Sequence, residues 1–468
     1  MLSDILKSLT QSIRGNPGEQ VSFYKYFFVM YITFALQNTV NLGVNLLDNI
    51  MLGVYSEVAI SAATAVNQIQ FVLQQVTVAF CECLVMFGSQ YWGQRRTAPI
   101  KKFAAIGMVF CVLFGMFFFI FTGLIPEGIM GVFTNNPRII EAGVSYLGIV
   151  RYSYIFFTIT MMLLALLKSV EIIKIGFYLS LLTLGINGIL NYLLIYGHWG
   201  WPECGIEGAA LATLVSRAIE TLVLVLFMWK KEKRIRIKLR DFWSFDKELL
   251  MDYIKVVMPM LTISALWGVS TALQTVILGH MGTTAIAANS VSSVLFLVVK
   301  GGAQSAAYAS SIIIGKTIGT GERELVRVYS RRLQKLFFFL GIGGGMVLFL
   351  LRIPVLSLYD LADETREMAN SFLIVLSIIY IGMAYQMPTS EGIIRGGGSP
   401  VFVMKLNLIS SWLIVLPLSI AMAFVIKVSP VLVVACLHSD QLFKCIPVFI
   451  KVNFGKWICE LTRKKESL

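Results

Sequence analysis

Long apolar segments, which together fill almost the whole chain, are the feature that most constrains its fold. Hydrophobic residues make up 57% of the 468 residues and charged residues only 14%, whereas a soluble domain has about 25% charged residues. A helix needs about 20 apolar residues to cross the hydrocarbon core of a bilayer. The sequence therefore predicts an all-α integral membrane protein with twelve transmembrane helices, near 27–52, 58–83, 103–125, 140–165, 174–196, 206–229, 256–279, 284–311, 334–352, 368–390, 402–426 and 430–452 (spans 1–12).

The net charge of +13 is best explained by membrane topology. If the N-terminus lies in the cytoplasm, most of the 39 Lys and Arg residues fall on inner loops and tails, as the positive-inside rule requires. We therefore expect a multi-pass protein of the cell membrane, with the lipid bilayer as its surroundings and with cytoplasmic N- and C-termini. The basic runs serve as topological anchors, so no nucleic-acid partner is expected.

A charged inner loop near the middle separates six spans from six. Both halves then enter the membrane from the same side, which predicts two six-helix lobes related by a pseudo-twofold axis along the membrane normal. The expected segments are a cytoplasmic N-terminal segment (1–24), an N-lobe (25–229), an inter-lobe loop (230–255), a C-lobe (256–452) and a cytoplasmic tail (453–468).

A weak internal repeat, offset by 226 residues, supports the two halves. The segment LDNIMLGVYSEVAISAA around Asp48 reappears as LQTVILGHMGTTAIAAN around Gln274. Identical residues at this offset are Leu52, Gly53, Ala59, Ile60, Ala62, Val72 and Gly93, matched by Leu278, Gly279, Ala285, Ile286, Ala288, Val298 and Gly319.

A polar stripe that ends in a carboxylate runs along span 1. A charged side chain at the bilayer centre costs roughly 2.5–3.5 kcal/mol on insertion scales, so such residues usually face protein or water and serve a function. Asp48 is therefore the candidate site for a coupling cation, with amide oxygens as the neutral ligands that hard cations prefer. The residues expected to line a wet cavity with it are Gln37, Asn41 and Asn45 in span 1, Asn67, Gln70 and Gln74 in span 2, and Asn187 and Asn191 in span 5. A solvated carboxylate at the membrane edge, with the amides bonding neighbouring helices, is the alternative.

Lys300 is the second unusual charge, because it lies in the middle of span 8 where the first half has Gln74. It is too deep to reach the interface easily, so it is expected to face the central cavity. There it could neutralise a carboxylate, act as a tethered cation or contact an anionic substrate. Gln274 stands where the first half has Asp48, and it is a further candidate cavity residue.

The sequence shows no residues arranged for zinc binding, phosphate binding or catalysis. The seven cysteines are scattered, without the paired spacing of a zinc site. The run Gly396–Gly398 lacks the strand and helix context of a phosphate loop, and no catalytic triad is evident. We expect no enzyme activity, no cofactor and no metal beyond a sodium ion at Asp48, and transport driven by an ion gradient.

Several motifs, in order and spacing, resemble the MATE family of multidrug exporters, part of a larger group that also holds lipid-linked oligosaccharide flippases. The resemblance covers about residues 25–460. Its most specific pieces are LDNIMLG, SQYWGQ, NGILNYLLIYG, GIEGAALATLVSR, LGHMGTTAIAAN, IIRGGGSP and FGKW.

This resemblance implies cation-coupled efflux of amphipathic organic cations by alternation between V-shaped outward- and inward-facing states. Asp48 matches the first-span carboxylate that family members use for ion coupling, and Asn187 and Asn191 match the accompanying span-5 positions. Proton-coupled members of one branch have an aspartate at the second position. The asparagine here is as in the branch often described as sodium-coupled.

The chain also departs from the family pattern in its second half. Many relatives have acidic residues in spans 7 and 10, where this chain has Gln274 and Ala384. Together with Lys300, whose fixed positive charge repels cations, this argues against a cation site there. The proline usual near the start of span 1 is retained only in the second half, as Pro259, where the first half has Thr33.

The leading hypothesis is therefore a secondary antiporter, working as a monomer, that exports drug-like organic cations as Na+ or H+ enters at Asp48. The alternative is an exporter or flippase of anionic or lipid-linked substrates, motivated by Lys300, Arg151 and Arg217. A membrane scaffold without transport is a third reading, and it leaves Asp48 unexplained.

Overall fold

The computed structural model describes residues 17–232, 235, 237, 241, 246–359 and 361–463, and within this part the chain is predominantly helical, with no β-strand. Eleven helices there are long and apolar enough to cross a membrane, and a bent helix pair completes the twelfth. The predicted all-α fold with twelve spans is confirmed. Most of the N-terminal segment 1–24, part of the loop 230–255 and the end of the tail lie outside the described residues, and the proposed segment boundaries stay predictions.

The first half contains spans 1 to 6. Their helices are Pro17–Tyr55, Glu57–Gly93, Thr97–Leu124, the pair Pro137–Val150 and Ser153–Ser169, Lys174–Tyr196 and Gly205–Lys230, with a short helix Pro126–Phe133 before span 4.

The second half contains spans 7 to 12. Spans 7 to 9 are Lys247–Gly279, Thr283–Gly319 and Arg323–Leu356. Span 10 is Asp363–Met387, extended by a π-helix at Pro388–Ile394. Span 11 consists of Pro400–Asn407, Leu408–Val415, Leu416–Ile420 and Ala421–Ile426, and span 12 of Pro430–Leu437, Asp440–Phe443 and Cys445–Phe454.

Two features differ from the sequence prediction. Span 4 is not one straight helix, because its two segments meet at an angle of 51°. Span 7 begins at Lys247, inside the predicted loop, because the Asp246 side chain caps the helix by accepting from the backbone N–H of Glu248 (3.1 Å) and Leu249 (3.4 Å). Such a cap stabilises a helix by about 1 kcal/mol.

The apolar core is shared between the halves at one face of the membrane and divided at the other. One cluster of buried residues joins both halves at the face formed by residues 93–97, 230–232, 246–247 and 319–323, called the closed face below. Towards the opposite, open face there are two separate clusters. One lies within residues 52–210 and the other within residues 277–437. The two lobes therefore diverge from a common base.

Spans 2 and 8 cross at the closed face through a pair of glycines that are equivalent in the 226-residue repeat. A Cβ on Gly93 would lie 2.1 Å from the carbonyl oxygen of Lys316 and 3.0 Å from the Cα of Gly319. A Cβ on Gly319 would lie 1.9 Å from the carbonyl oxygen of Gln90. This reciprocal contact brings the two equivalent segments together, as expected at the pseudo-twofold axis. The absence of side chains lets the two backbones touch.

Ion pairs between the lobes reinforce the closed face. Lys316 Nζ of span 8 lies 2.6 Å from Glu171 Oε1, which follows span 4. Arg395 Nη2, which follows span 10, lies 3.0 Å from Glu82 Oε2 of span 2. All four side chains are less than one-fifth exposed, so separating the lobes at this face would leave partly buried charges without partners.

Candidate functional site

Asp48 lies inside the N-lobe, where its carboxylate meets the two asparagines of span 5. Asp48 Oδ1 accepts a hydrogen bond from Asn191 Nδ2 at 2.5 Å, and the same amide donates to Asn187 Oδ1 at 3.2 Å. Asn187 and Asn191 are buried. Tyr196, one turn beyond Asn191, fixes the two helices by donating to the carbonyl of Met51 at 2.8 Å.

A small polar cavity of about 30 Å³ adjoins Asp48. A cavity needs roughly 10–15 Å³ to hold one water molecule, so this one has room for a cation with at most one or two waters. It is lined by Val44, Asn45, Asp48, Asn67, Gln70, Tyr146, Thr183, Asn187, Thr213, Ser216 and Arg217.

Two buried oxygen atoms close to Asp48, one on a residue that lines the cavity and one on a residue bonded to Asp48, have no hydrogen-bond partner among the described residues. They are Thr183 Oγ1 and Asn191 Oδ1. Unpaired buried polar atoms are costly and need an explanation. A hydroxyl oxygen, an amide oxygen and a carboxylate make a ligand set that suits a hard cation. These residues therefore fit a bound Na+, and Asp48 alone suffices for a proton.

The only arginine that lines this cavity is already paired. Arg217 Nη1 donates to Glu220 Oε2 at 2.8 Å, one turn along span 6, and its guanidinium lies 5.3 Å above the Phe157 ring. Glu220 thus balances the charge of Arg217 directly, and Arg217 acts on Asp48 only over a longer distance. The cavity therefore retains a carboxylate without a cationic partner in contact with it.

The predicted site residues separate into two groups. The structure gathers Asp48 with Asn45, Asn67, Gln70 and Asn187 around the cavity, with Asn191 in contact with them.

Gln37, Asn41, Gln74, Gln274 and Lys300 do not line the cavity. Gln37 is buried against span 5, where a Cβ on Gly176 would lie 2.8 Å from its Nε2. It shares a helix face with Asp48, but eleven residues of helix place it about 16 Å lower along the axis. Helical periodicity correctly predicted the face of span 1 on which Gln37 lies, but it did not predict how far along the helix axis Gln37 lies from the cavity.

The cleft between the lobes has polar walls related by the internal repeat. Exposed side chains occupy equivalent positions in the two halves, as in Asn45 and Thr271, Thr64 and Ser290, and Asn67 and Ser293. Asn41 and Gln74 are exposed as well, and Gln274 is half-buried. Exposed polar side chains within membrane spans are unfavourable against lipid, so these residues line a wet space open at the open face.

Lys300 lies at the bottom of this cleft, where spans 7 and 8 meet span 2. Its Nζ lies 4.7 Å from the ring centroid of Trp267, and Trp267 contacts Phe71 of the other lobe with ring centroids 5.7 Å apart. A desolvated cation over an indole gains about 2 kcal/mol. The ammonium therefore lies over Trp267, whose ring in turn packs on Phe71 at the boundary between the lobes, and Lys300 is half-buried.

Thr183, Thr213, Ser216, Tyr146 and Arg217 were not predicted as site residues. Thr183 could have been found, because it precedes Asn187 and Asn191 at successive four-residue steps on one face of span 5. The others lie on spans 4 and 6, and only the tertiary packing brings them to Asp48.

The C-lobe contains its own buried carboxylate, in span 12. Asp440 Oδ2 lies 2.6 Å from Lys444 Nζ, and the same ammonium donates to Asn407 Oδ1 at 2.8 Å. Both members of the pair are less than a tenth exposed. The carboxylate is thus neutralised by a lysine of its own helix. Among the described residues, no group of three or more His, Cys, Asp or Glu side chains forms a metal site.

Comparisons with known proteins agree with this architecture. The MatE family model matches residues 33–193 and 259–421. A probable multidrug resistance protein NorM of Agrobacterium fabrum is 24% identical over 429 residues, covering 89% of this chain and 90% of that protein. A probable multidrug resistance protein NorM of Thermotoga maritima is 24% identical over 430 residues, covering 90% of each.

Solved structures show the same fold at low sequence identity. The MATE transporter VcmN of Vibrio cholerae in its bent form superposes with a TM-score of 0.83 at 15% identity, over 92% of this chain and 96% of that one. A MOP superfamily transporter of Pyrococcus furiosus, described as having a binding pocket of reverse polarity that suggests a different function, gives 0.83 at 16% identity, over 94% and 97%. The matched segments comprise most of both lobes, and the chain belongs to the MatE family of multi-pass membrane transporters.

Proposed function

We propose that this protein is a secondary antiporter that exports amphipathic organic cations in exchange for Na+ or H+. The observation that carries the proposal is the Asp48 carboxylate in a small polar cavity, with no cationic side chain in contact with it among the described residues and with two buried oxygen atoms nearby that have no hydrogen-bond partner. The named relatives are described as probable multidrug resistance proteins, and this supports small drug-like molecules as substrates here.

The Asp48 cavity can couple cation entry to substrate export through the N-lobe. A cation at Asp48 draws together spans 1 and 5, and spans 2, 4 and 6 contribute further cavity residues. Binding can shift a two-state equilibrium only as far as the ligand prefers one state. A cation that fits the cavity in one state, and loses Asn191 or Thr183 in the other, has this differential affinity.

The basic residues indicate which face of the protein lies on which side of the membrane. The basic loops lie at the closed face, so we place this face in the cytoplasm, together with both termini. The open face is then extracellular, and the structure represents an outward-facing state from which substrate leaves. The localisation expected is the cell membrane, with a single chain as the working unit.

The test uses everted membrane vesicles and a fluorescent cationic dye. With pH equal on both sides and Na+ high in the lumen, Na+-dependent dye uptake that disappears in Asp48→Asn supports sodium coupling. Uptake that requires an acidic lumen instead supports proton coupling. A Lys405→Met variant, which alters an exposed side chain of span 11, serves as the control for expression and insertion. If dye moves equally in wild type and Asp48→Asn, coupling through Asp48 is wrong.

A second candidate function rests on Lys300. The ammonium of Lys300 lies over Trp267 at the bottom of the cleft. Together they offer a positive charge and an aromatic surface, which suit an aromatic acid or another anionic amphiphile. Reverse pocket polarity in the Pyrococcus furiosus relative makes this a substrate class to test in the same vesicles. Uptake of an anionic dye that is lost in Lys300→Met and retained in Asp48→Asn would favour this function over the first.

A further inference from the structure

The nine residues after span 12, Gly455–Arg463, run in a non-helical conformation along the closed face and are called the strap below. The strap is anchored to the C-lobe at its start. Trp457 is 2% exposed and donates from Nε1 to the carbonyl of Val452 at 2.7 Å. Its ring packs on Gly397, where a Cβ would lie 2.5 Å from the ring, and Cys459 N–H donates to the Gly397 carbonyl at 2.8 Å.

From this anchor the strap crosses to the N-lobe, where the end of span 2 binds its main chain. Gln90 Nε2 donates to the Cys459 carbonyl at 3.1 Å, and Gln90 Oε1 accepts from Leu461 N–H at 2.8 Å. The Tyr91 hydroxyl accepts from Arg463 N–H at 3.1 Å. Gln90 is fully buried, so the strap occupies both functional groups of an amide that water does not reach.

Two further contacts follow at the loop after span 2. Arg96 Nη1 donates to the Arg463 carbonyl at 2.7 Å, and Gln94 Nε2 donates to Thr462 Oγ1 at 2.6 Å. Most of these bonds involve the strap backbone, so the N-lobe recognises its extended shape more than its side chains.

The end of the strap then reaches the first turns of span 7, which follow the inter-lobe loop. Arg463 Nε lies 2.7 Å from Asp252 Oδ2 there, and the guanidinium also pairs with Glu248. The strap is thus anchored on the C-lobe at its start and bound by the N-lobe and the beginning of span 7 beyond it, beside the Gly93–Gly319 crossing.

We propose that the strap is a latch that stabilises the state in which this face is closed, and that it must release Gln90 before the face can open. Rotation of one lobe away from the other would separate Gln90 from the strap backbone, because Trp457 and Gly397 keep the strap on the C-lobe. Release would leave the buried amide without partners until water enters. The strap therefore sets the balance between the two transport states.

Hydrogen exchange measured by mass spectrometry on the full chain in lipid nanodiscs tests this proposal. Gln90→Leu keeps the side-chain volume and removes both bonds, and Trp457→Ala removes the anchor. Each variant should speed exchange in peptides from 86–94 and 312–320 at the closed face by about tenfold, as expected for the loss of two hydrogen bonds. Exchange in peptides from 44–52 and 270–278 should slow, because opening one face closes the other.

The reciprocal change separates a latch from a merely structural role. Lys456→Ala, which alters an exposed strap side chain, should leave all four peptides unchanged. Unaltered exchange in Gln90→Leu and Trp457→Ala, or faster exchange at both faces, would overturn the proposal. The hydrogen-exchange experiment needs no transported substrate. Its failure would therefore not contradict the proposed antiport, and a failure of the antiport proposal would not affect the interpretation of the exchange rates.

Discussion

The buried ion pair of span 12 makes the C-lobe sensitive to removal of one charge. Lys444→Met keeps most of the side-chain length and removes the ammonium that Asp440 and Asn407 contact at 2.6 and 2.8 Å. Among the described residues, the remaining hydrogen bonds to Asp440 come from neutral donors, Gln441 at 3.0 Å and Ser411 at 3.5 Å, and the charge of Lys300 acts on it only over a longer distance. Leaving one member of a buried pair uncompensated costs about 3–5 kcal/mol.

This cost translates into a measurable loss of thermal stability. With an unfolding entropy of about 2.1 cal/mol/K per residue, a chain of 468 residues should lose about 3–5 °C in Tm. The assay is thermal unfolding of the purified protein in detergent, followed by tryptophan fluorescence. Adding Asp440→Asn to Lys444→Met should recover most of the loss, because the uncompensated charge is gone.

The control is Lys405→Met, an exposed lysine in span 11, which should leave Tm within about 1 °C because surface substitutions change stability little. The reasoning would be refuted if Lys444→Met unfolded at the wild-type temperature. It would equally be refuted if the double variant were no more stable than Lys444→Met alone.

Three further predictions concern transport. Gly319→Leu should reduce dye export by about tenfold or more, because the new side chain would collide with the Gln90 carbonyl. The control Gly343→Leu should export normally, since a Cβ at Gly343 would have no neighbouring atom within 4 Å. Equal export rates in the two variants would contradict the backbone crossing. Thr183→Val should raise the Na+ concentration for half-maximal transport by about tenfold through loss of one ligand oxygen, and an unchanged Na+ dependence would exclude this ligand. Charge reversal at Glu82 or Arg395 alone should slow export, and the double reversal should recover only part of it because Arg395 also pairs with Glu391 at 3.6 Å; additive losses would show that the Glu82–Arg395 pair does not act as a unit.

Much of the fold follows from hydrophobicity. The twelve apolar segments, the central charged loop and the 226-residue repeat predict a two-lobed helical membrane protein, because the bilayer allows few other structures. The bend in span 4 was not predicted, since its two segments, interrupted at Arg151 and Tyr152, read as a single apolar stretch.

The site was predicted as far as local spacing reaches. Asp48 and Asn191 lie 143 positions apart; polar residues inside the spans predicted that they share a cavity, and the resemblance to a family supported this, but local spacing did not predict their direct hydrogen bond. Thr213 and Ser216 are ordinary small residues of a membrane helix in sequence. Their role at the cavity depends on how span 6 packs, which periodicity alone does not determine.

The strap illustrates a different limit. It has neither apolar periodicity nor charge alternation, and its bonds to Gln90 use main-chain groups that every residue has. FGKW could be recognised as a motif in the sequence, but the partner of the segment that follows it could not, because main-chain recognition leaves little trace in side-chain identity.

The two unbroken helices that cross at Gly93 and Gly319 also have a mechanical consequence. Each contains 37 residues and is therefore about 55 Å long. The two helices touch at the ends near Gly93 and Gly319 and diverge towards the open face. As long as this crossing holds, a tilt of about 10° around it would move the far tip by roughly 10 Å, while atoms beside the glycines shift by less than about 1 Å. Asn67 at the ion cavity lies 26 residues from Gly93 along span 2, or about 39 Å. A small rotation that leaves the strap in place therefore becomes a displacement of several ångströms at the level of the ion cavity.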